Sequence, residues 1–239
     1  MSVTVTERVK LKIADDSTME AFVAHPRRRG GPGLLVLQEA FGVNGHIRNV
    51  AERYAEQGFT AIAPELFHRT APGGWEGSYS DFTSVQPHIG ALTIEGLIAD
   101  TRAAYEWLAH TMRISAEQIA AVGYCMGGRC AYLANSEIPL AAAISYYGGG
   151  IATALLDRAS KQHGPILMLW GGLDAHIPPQ DRRAVADALT AAGADHEQVL
   201  FAKADHGFNC DARPSYNESA ARQTLALVLE FLRVRRVLR

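Results

Sequence analysis

The sequence predicts an α/β fold with a doubly wound, mostly parallel β-sheet and helices on both faces. Two observations carry this prediction. Short apolar runs alternate with stretches of helical spacing along the 239 residues, which is the pattern of β-α-β units. The apolar runs are continuous, as expected for strands that are covered on both faces. We expect one domain over residues 1–239, a size that a single α/β domain commonly reaches.

The first half of the chain predicts a hairpin followed by one β-α-β unit. In order, strands are predicted at 9–13, 20–24 and 34–38, a helix at 46–57 and a strand at 60–63. Residues 71–90 break this rhythm with a Gly- and Pro-rich loop that contains Trp75 and Tyr79. Loops of this length are commonly lids or binding loops, although a tolerated surface insertion fits the same composition.

The second half predicts a regular alternation of helices and strands. Helices are predicted at 94–111, 129–135, around 155–156, at 180–192 and at 215–238, and strands at 119–122, 141–146, 166–170 and 199–201. In such sheets, sites for chemistry lie in the loops that follow the carboxyl ends of the strands.

One turn between a predicted strand and helix has the composition of a nucleophile elbow. The segment Gly123–Gly128 places glycines on both sides of Cys125. The turn is so tight that flanking Cβ atoms would collide with the strand and the helix. We therefore predict a thiol hydrolase on an α/β-hydrolase scaffold with Cys125 as nucleophile. An inert core thiol is the alternative that the residue type alone favours.

A thiol nucleophile needs a base, and two later loops offer the partners. In this fold the acid follows the nucleophile and the histidine comes last. Asp174 follows the strand at 166–170, and His206 follows the strand at 199–201. We predict that His206 transfers the proton and that Asp174 orients the imidazole. Asp205 is the rival carboxylate, and Asp174 as a helix cap and His206 as a structural residue are the alternatives.

The loop after the strand at 34–38 predicts further site residues. An oxyanion hole would combine the Met126 N–H with an N–H of this loop, most simply that of Ala40. Glu39 ends a wholly apolar strand, where a carboxylate is costly without a partner. This position predicts that Glu39 faces the site beside Cys125. A satisfied structural carboxylate is the alternative.

Five motifs together resemble the dienelactone hydrolase family, whose members are also called carboxymethylenebutenolidases. They are LQEAFGVN at 37–44, APELF at 63–67, GYCMGG at 123–128, GGLD at 171–174 and HGF at 206–208. The resemblance implies an α/β-hydrolase fold and a Cys-His-Asp triad that hydrolyses esters or lactones without a cofactor. It also implies that Glu39 hydrogen-bonds the resting thiol and helps to generate the thiolate when substrate displaces it.

The chain departs from this family where the substrate is held. Family members that act on dienelactone bind its carboxylate with two arginines, but residues 72–100 contain no arginine and Cys210 stands after Asn209. This departure argues against an anionic dienelactone as substrate. Residues expected to line the pocket are Trp75, Tyr79, His88, Tyr146, Tyr147 and His176, with Arg213 nearby but displaced from the family position.

Composition limits the remaining function classes. The 23 basic and 25 acidic side chains leave a net charge of −2, which offers no footprint for nucleic acid or a membrane surface. Three cysteines and no signal-peptide pattern predict a cytoplasmic protein, and the histidine spacings predict no metal site. We expect a small ester or lactone as partner and a monomer or homodimer. A catalytically silent protein that binds a ligand or partner on this fold is the alternative.

Overall fold

The computed structural model describes residues 4–28 and 30–238. Within them the strands are β1 (Val5–Lys12), β2 (Thr18–His25), β3 (Gly33–Leu37), β4 (Thr60–Pro64), β5 (Ile119–Tyr124), β6 (Ala142–Tyr146), β7 (Ile166–Gly171) and β8 (His196–Phe201). They form an eight-stranded sheet in the order β1-β2-β4-β3-β5-β6-β7-β8. β2 pairs antiparallel with β1 and β4, whereas β3 with β4, β6 with β7, and β7 with β8 are parallel. The predicted fold class is confirmed.

Three of the helices in the described residues begin at a residue whose side chain caps them. They are α1 (Gly45–Glu56), α2 (Gln86–Gly90), α3 (Ile94–Glu106), α4 (Met126–Glu137), α5 (Ile151–Ala154), α6 (Pro179–Ala191) and α7 (Glu218–Val234). Asn44, Thr93 and Asn217 cap α1, α3 and α7 by accepting a hydrogen bond from the backbone N–H three residues later. A π-helical segment, Trp107–Thr111, continues α3, and 3₁₀ turns cover Ala116–Gln118 and Leu156–Lys161.

The chain divides into two compact units between Ala120 and Ala121. In the first unit β3 and β4 are buried at every residue, because the continuous apolar runs have no solvent-facing side. β5, whose last four residues belong to the second unit, and β6 and β7 of that unit are buried in the same way. The two terminal strands of the sheet, β1 and β8, are largely exposed or half-buried. The prediction of one domain remains a prediction.

Three of the element boundaries that differ from the sequence prediction have an identifiable reason. The segment 71–90 was expected to be loop throughout but ends in α2, which has a proline in its first turn, where no intrahelical N–H is needed. β8 begins at His196 rather than 199. Its first three residues are polar and favour a loop in sequence, but an edge strand tolerates them. α7 begins after its cap Asn217 rather than at 215.

Candidate active site

Cys125 lies in the turn between β5 and α4 with a strained backbone. Its φ of 55° and ψ of −116° lie in a region that non-glycine residues rarely adopt. A Cβ on Gly123 would overlap the carbonyl oxygen of Gly127, and one on Gly128 would lie 2.6 Å from the Tyr146 carbonyl oxygen. The glycines are therefore required by close backbone approach. The Cys125 N–H donates to the Tyr146 carbonyl oxygen at 3.0 Å, which ties the turn to the end of β6.

The second unit brings the thiol, an imidazole and a carboxylate together in a hydrogen-bonded row. His206 Nδ1 lies 2.8 Å from Asp174 Oδ2, and the His206 side chain also hydrogen-bonds that of Cys125. Asp174 and His206 are buried, whereas Cys125 is half-buried. An imidazole held between a carboxylate and a thiol is able to accept the thiol proton.

Backbone N–H groups donate hydrogen bonds to both aspartates, Asp174 and Asp205. Asp174 Oδ1 accepts hydrogen bonds from the N–H groups of His176 at 2.8 Å and Ile177 at 3.2 Å, which leaves Oδ2 for the imidazole. The rival carboxylate, Asp205, accepts from the backbone N–H of His206 at 2.6 Å. Asp205 therefore holds the main chain of His206, while Asp174 holds its ring. The sequence analysis missed these backbone bonds, although an Asp followed by a tight turn is a known signal for them.

The charges in this row stabilise one another. Burial lowers the pKa of His206, but hydrogen bonds with Asp174 and Cys125 and the charges of both outweigh burial and raise this pKa to about 10. Burial raises the pKa of Asp174, but the hydrogen bond and charge of His206 and the backbone bond from His176 outweigh it, so this pKa lies below its ordinary value. The imidazolium form of His206 is thus favoured.

Two of the other residues predicted in the second unit, Tyr147 and His176, lie beside the imidazole of His206. The Tyr147 and His176 rings lie with centroids 5.1 Å and 5.2 Å from that of His206. Tyr146 is buried and stacks on Tyr124 at 4.5 Å. The guanidinium of Arg213 lies against Gly207, the residue that follows His206 in sequence. Met126, the predicted oxyanion donor, is half-buried at the first position of α4.

The first unit gathers Trp75, Tyr79 and His88 into an aromatic cluster rather than leaving them on a free loop. Trp75 lies edge-on to His88 with ring centroids 4.4 Å apart, and Tyr79 packs on Phe41 at 4.5 Å. Asn44 donates to the Tyr79 hydroxyl at 2.8 Å, so the cap of α1 also holds this segment. Glu39 and Ala40, which directly follow Gln38 after β3, are buried.

Comparison with known proteins identifies relatives over most of the chain. The model of the "Dienelactone hydrolase family" matches residues 19–235. A protein of Synechocystis sp. named "Putative carboxymethylenebutenolidase" is 34% identical and covers 80% of each chain. One of the same name from Salmonella typhimurium is 34% identical over 89% of this chain and 82% of its own. The crystal structure titled as a putative dienelactone hydrolase from Klebsiella pneumoniae superposes with a TM-score of 0.84 at 32% identity, covering 95% of this chain and 98% of the other.

None of the helices in residues 4–28 and 30–238 combines the length and the apolar character that a membrane crossing requires.

Proposed function

The chain belongs to the dienelactone hydrolase family and is an ester or lactone hydrolase, and from this premise we propose that it works through an acyl-thiol intermediate on Cys125. The observation that carries the proposal is the row in which His206 hydrogen-bonds both Cys125 and Asp174. This row needs no cofactor, because thiolate, proton donor and orienting carboxylate are all side chains of the protein.

In the proposed reaction the Cys125 thiolate attacks the carbonyl carbon of the ester, and the C=O electrons move to oxygen. The tetrahedral adduct collapses when the alkoxide leaves and takes the proton from the His206 imidazolium. The neutral imidazole then accepts a proton from water as the hydroxide attacks the acyl-thiol. Collapse of the second adduct expels the thiolate and releases the carboxylic acid, and Asp174 keeps the imidazole oriented throughout. With a lactone, the alkoxide stays tethered to the acyl group.

Backbone donors would stabilise the charge on the carbonyl oxygen. We assign this role to the N–H of Met126, which lies at the positive end of α4. The participation of the Ala40 N–H and the restraint of the thiol by Glu39 remain predictions. Losing one oxyanion donor would cost about 10²–10³ in rate.

The proposal is tested by the time course with a nitrophenyl ester. The wild-type protein should release a rapid burst of nitrophenol with one equivalent per Cys125, followed by steady turnover. Cys125→Ala should show neither phase while its far-ultraviolet circular dichroism and thermal unfolding stay like those of the wild type. Steady turnover in Cys125→Ala would reject this cysteine as nucleophile. Absence of turnover in the wild type with every ester and lactone tried would favour a silent binding protein.

A further inference from the structure

Tyr147 has a left-handed backbone conformation although it is not a glycine. Its φ is 38°, in the left-handed region that favours glycine. Three glycines, 148–150, follow it directly, so a glycine at this position would relieve the strain without introducing a residue type foreign to the loop. A strained non-glycine residue persists only where its surroundings hold it in place.

The surroundings of Tyr147 hold it on every side. Its N–H donates to the Leu169 carbonyl oxygen at 2.8 Å, which extends the pairing of β6 with β7. A Cβ on the next residue, Gly148, would lie 2.9 Å from the backbone nitrogen of Arg129, so α4 packs directly against this turn. The strained backbone therefore lies where the end of β6 meets the start of α4, the helix that Cys125 precedes.

The side chain of Tyr147 is fully buried against the imidazole of His206. The tyrosine is 0% exposed, and its ring centroid lies 5.1 Å from the imidazole and 5.1 Å from the Phe208 ring. A substrate reaching the site from solvent does not meet a ring with no accessible surface. This burial separates Tyr147 from the exposed His176, whose ring contacts the same imidazole at 5.2 Å.

We infer that Tyr147 is a positioning residue that holds the His206 imidazole where it reaches both Asp174 and Cys125. The inference rests on the proposed function, since it concerns the same thiolate–imidazolium pair. Asp174 bonds one ring nitrogen and still allows the ring to pivot about that bond. The Tyr147 ring fills the space into which the imidazole would pivot, and the strained backbone is what directs the ring there.

The test is the pH dependence of Cys125 alkylation by iodoacetamide, mapped by peptide mass. For each variant, the rate at about pH 9 is divided by the rate at about pH 6, which cancels general changes in access to the thiol. The wild-type ratio should be at least about tenfold below that of His206→Ala, whose thiol has lost the imidazole that hydrogen-bonds it. Cys130 and Cys210 are buried and should stay unlabelled in the folded protein, so that their labelling would report unfolding.

Three variants of buried tyrosines distinguish positioning from general packing. Tyr147→Leu keeps a non-glycine residue in the strained backbone but removes the ring, and its ratio should rise at least about tenfold towards that of His206→Ala. Tyr147→Phe keeps the ring and should match the wild type. Tyr132→Leu removes a ring that is also 0% exposed, on α4, and should match the wild type in ratio while losing comparable thermal stability.

The outcomes separate this inference from the proposed function. A wild-type ratio in Tyr147→Leu, together with a raised ratio in His206→Ala, would overturn the positioning role alone. A wild-type ratio in His206→Ala would overturn the thiolate–imidazolium pair and the inference with it. If Tyr147→Leu does not fold, nuclear Overhauser contacts between the Tyr147 and His206 rings in the wild type decide the matter. The inference requires these contacts at both pH values, and their absence would overturn it.

Discussion

Each unit of the molecule contains a buried histidine–aspartate pair, and the two pairs differ in what else the carboxylate binds. In the second unit His206 Nδ1 lies 2.8 Å from Asp174 Oδ2. In the first unit His68 Nε2 lies 3.1 Å from Asp100 Oδ1. Asp100 is 0% exposed, so burial alone does not distinguish a structural pair from one that supports chemistry.

The remaining partners of the carboxylate make the distinction. Arg69 bonds both oxygens of Asp100, at 2.8 and 2.9 Å, and so supplies a full positive charge to it. The pKa of Arg69 is raised, mainly by this hydrogen bond. Asp174 instead receives two backbone N–H groups on Oδ1, and its second oxygen is left to the imidazole. A carboxylate that pairs with an arginine stabilises the fold. A carboxylate that accepts hydrogen bonds only from neutral amides keeps its negative charge available to stabilise a protonated histidine.

The largest expected difference between the pairs is kinetic. His206→Ala should lower kcat for a nitrophenyl ester by about 10⁴–10⁶, because the proton-transfer group is lost while the fold is kept. His68→Ala should leave kcat of the folded protein within about threefold of wild type, as expected for a residue that acts only through structure. Wild-type rates in His206→Ala would remove that residue from the mechanism.

The aspartates should separate activity from stability. Asp174→Asn should lower kcat by about 10³–10⁴, because an amide no longer selects the productive imidazole tautomer. Asp100→Asn should leave kcat nearly unchanged but lower the free energy of unfolding by about 1–3 kcal/mol, since Arg69 keeps its bond to Asp15 but loses its charged hydrogen bonds to Asp100. Urea unfolding beside steady-state kinetics measures both. A large kcat loss in Asp100→Asn at full folding would contradict the comparison.

The pH dependence of stability should follow the raised pKa of His206. The folded-state pKa of about 10 exceeds the unfolded value, which is about 6.5. The folded state therefore binds the extra proton between these values, and its stabilising contribution is complete below about pH 6.5 and lost as the pH rises through about 10. The difference in free energy of unfolding between wild type and His206→Gln should decline over this range.

A second variant sharpens this measurement. Cys125→Ala removes one of the two hydrogen-bond partners that raise the pKa of His206, so in that background the decline should end at a lower pH. If the difference in free energy of unfolding between wild type and His206→Gln stays constant from neutral to alkaline pH, His206 does not have the raised pKa.

A small effect is expected at Asp205. Its carboxylate accepts from the backbone N–H of His206, and the side-chain oxygen of an asparagine is able to accept the same bond. Asp205→Asn should therefore change kcat by less than about threefold, because the loss is that of a charge on one hydrogen bond. A loss equal to that of Asp174→Asn would assign the orienting role to the wrong carboxylate.

The features that depend on residues close together in the sequence were predictable. Glycines at 123 and 128 predict the tight turn because the close backbone approaches exclude a Cβ. The placement of Asp174 and His206 after strands predicted loops at one edge of the sheet. The continuous apolar runs predicted buried strands for the same local reason.

Features that depend on distant partners were not predictable. Nothing near Tyr147 in sequence indicates a left-handed backbone, because α4 and β7 impose it. Asp100 lies in a helix of mixed polarity, and its sequence context favours a charge on the surface. In the structure it is buried and bonded to Arg69 and His68, about thirty residues away in sequence. The sequence of 71–90 predicts a loop, and it contains no signal that Phe41 and Asn44 contact its aromatic residue Tyr79.

The most direct test of the account is the mass of the protein trapped during turnover. Rapid acid quenching with a nitrophenyl ester, followed by peptide mapping, should find one acyl group on the peptide that contains Cys125. His206→Ala should lower the rate at which this label appears, and Cys125→Ala should prevent it. An acyl group on any other residue of a turning-over enzyme, or turnover in Cys125→Ala with no label, would contradict the account.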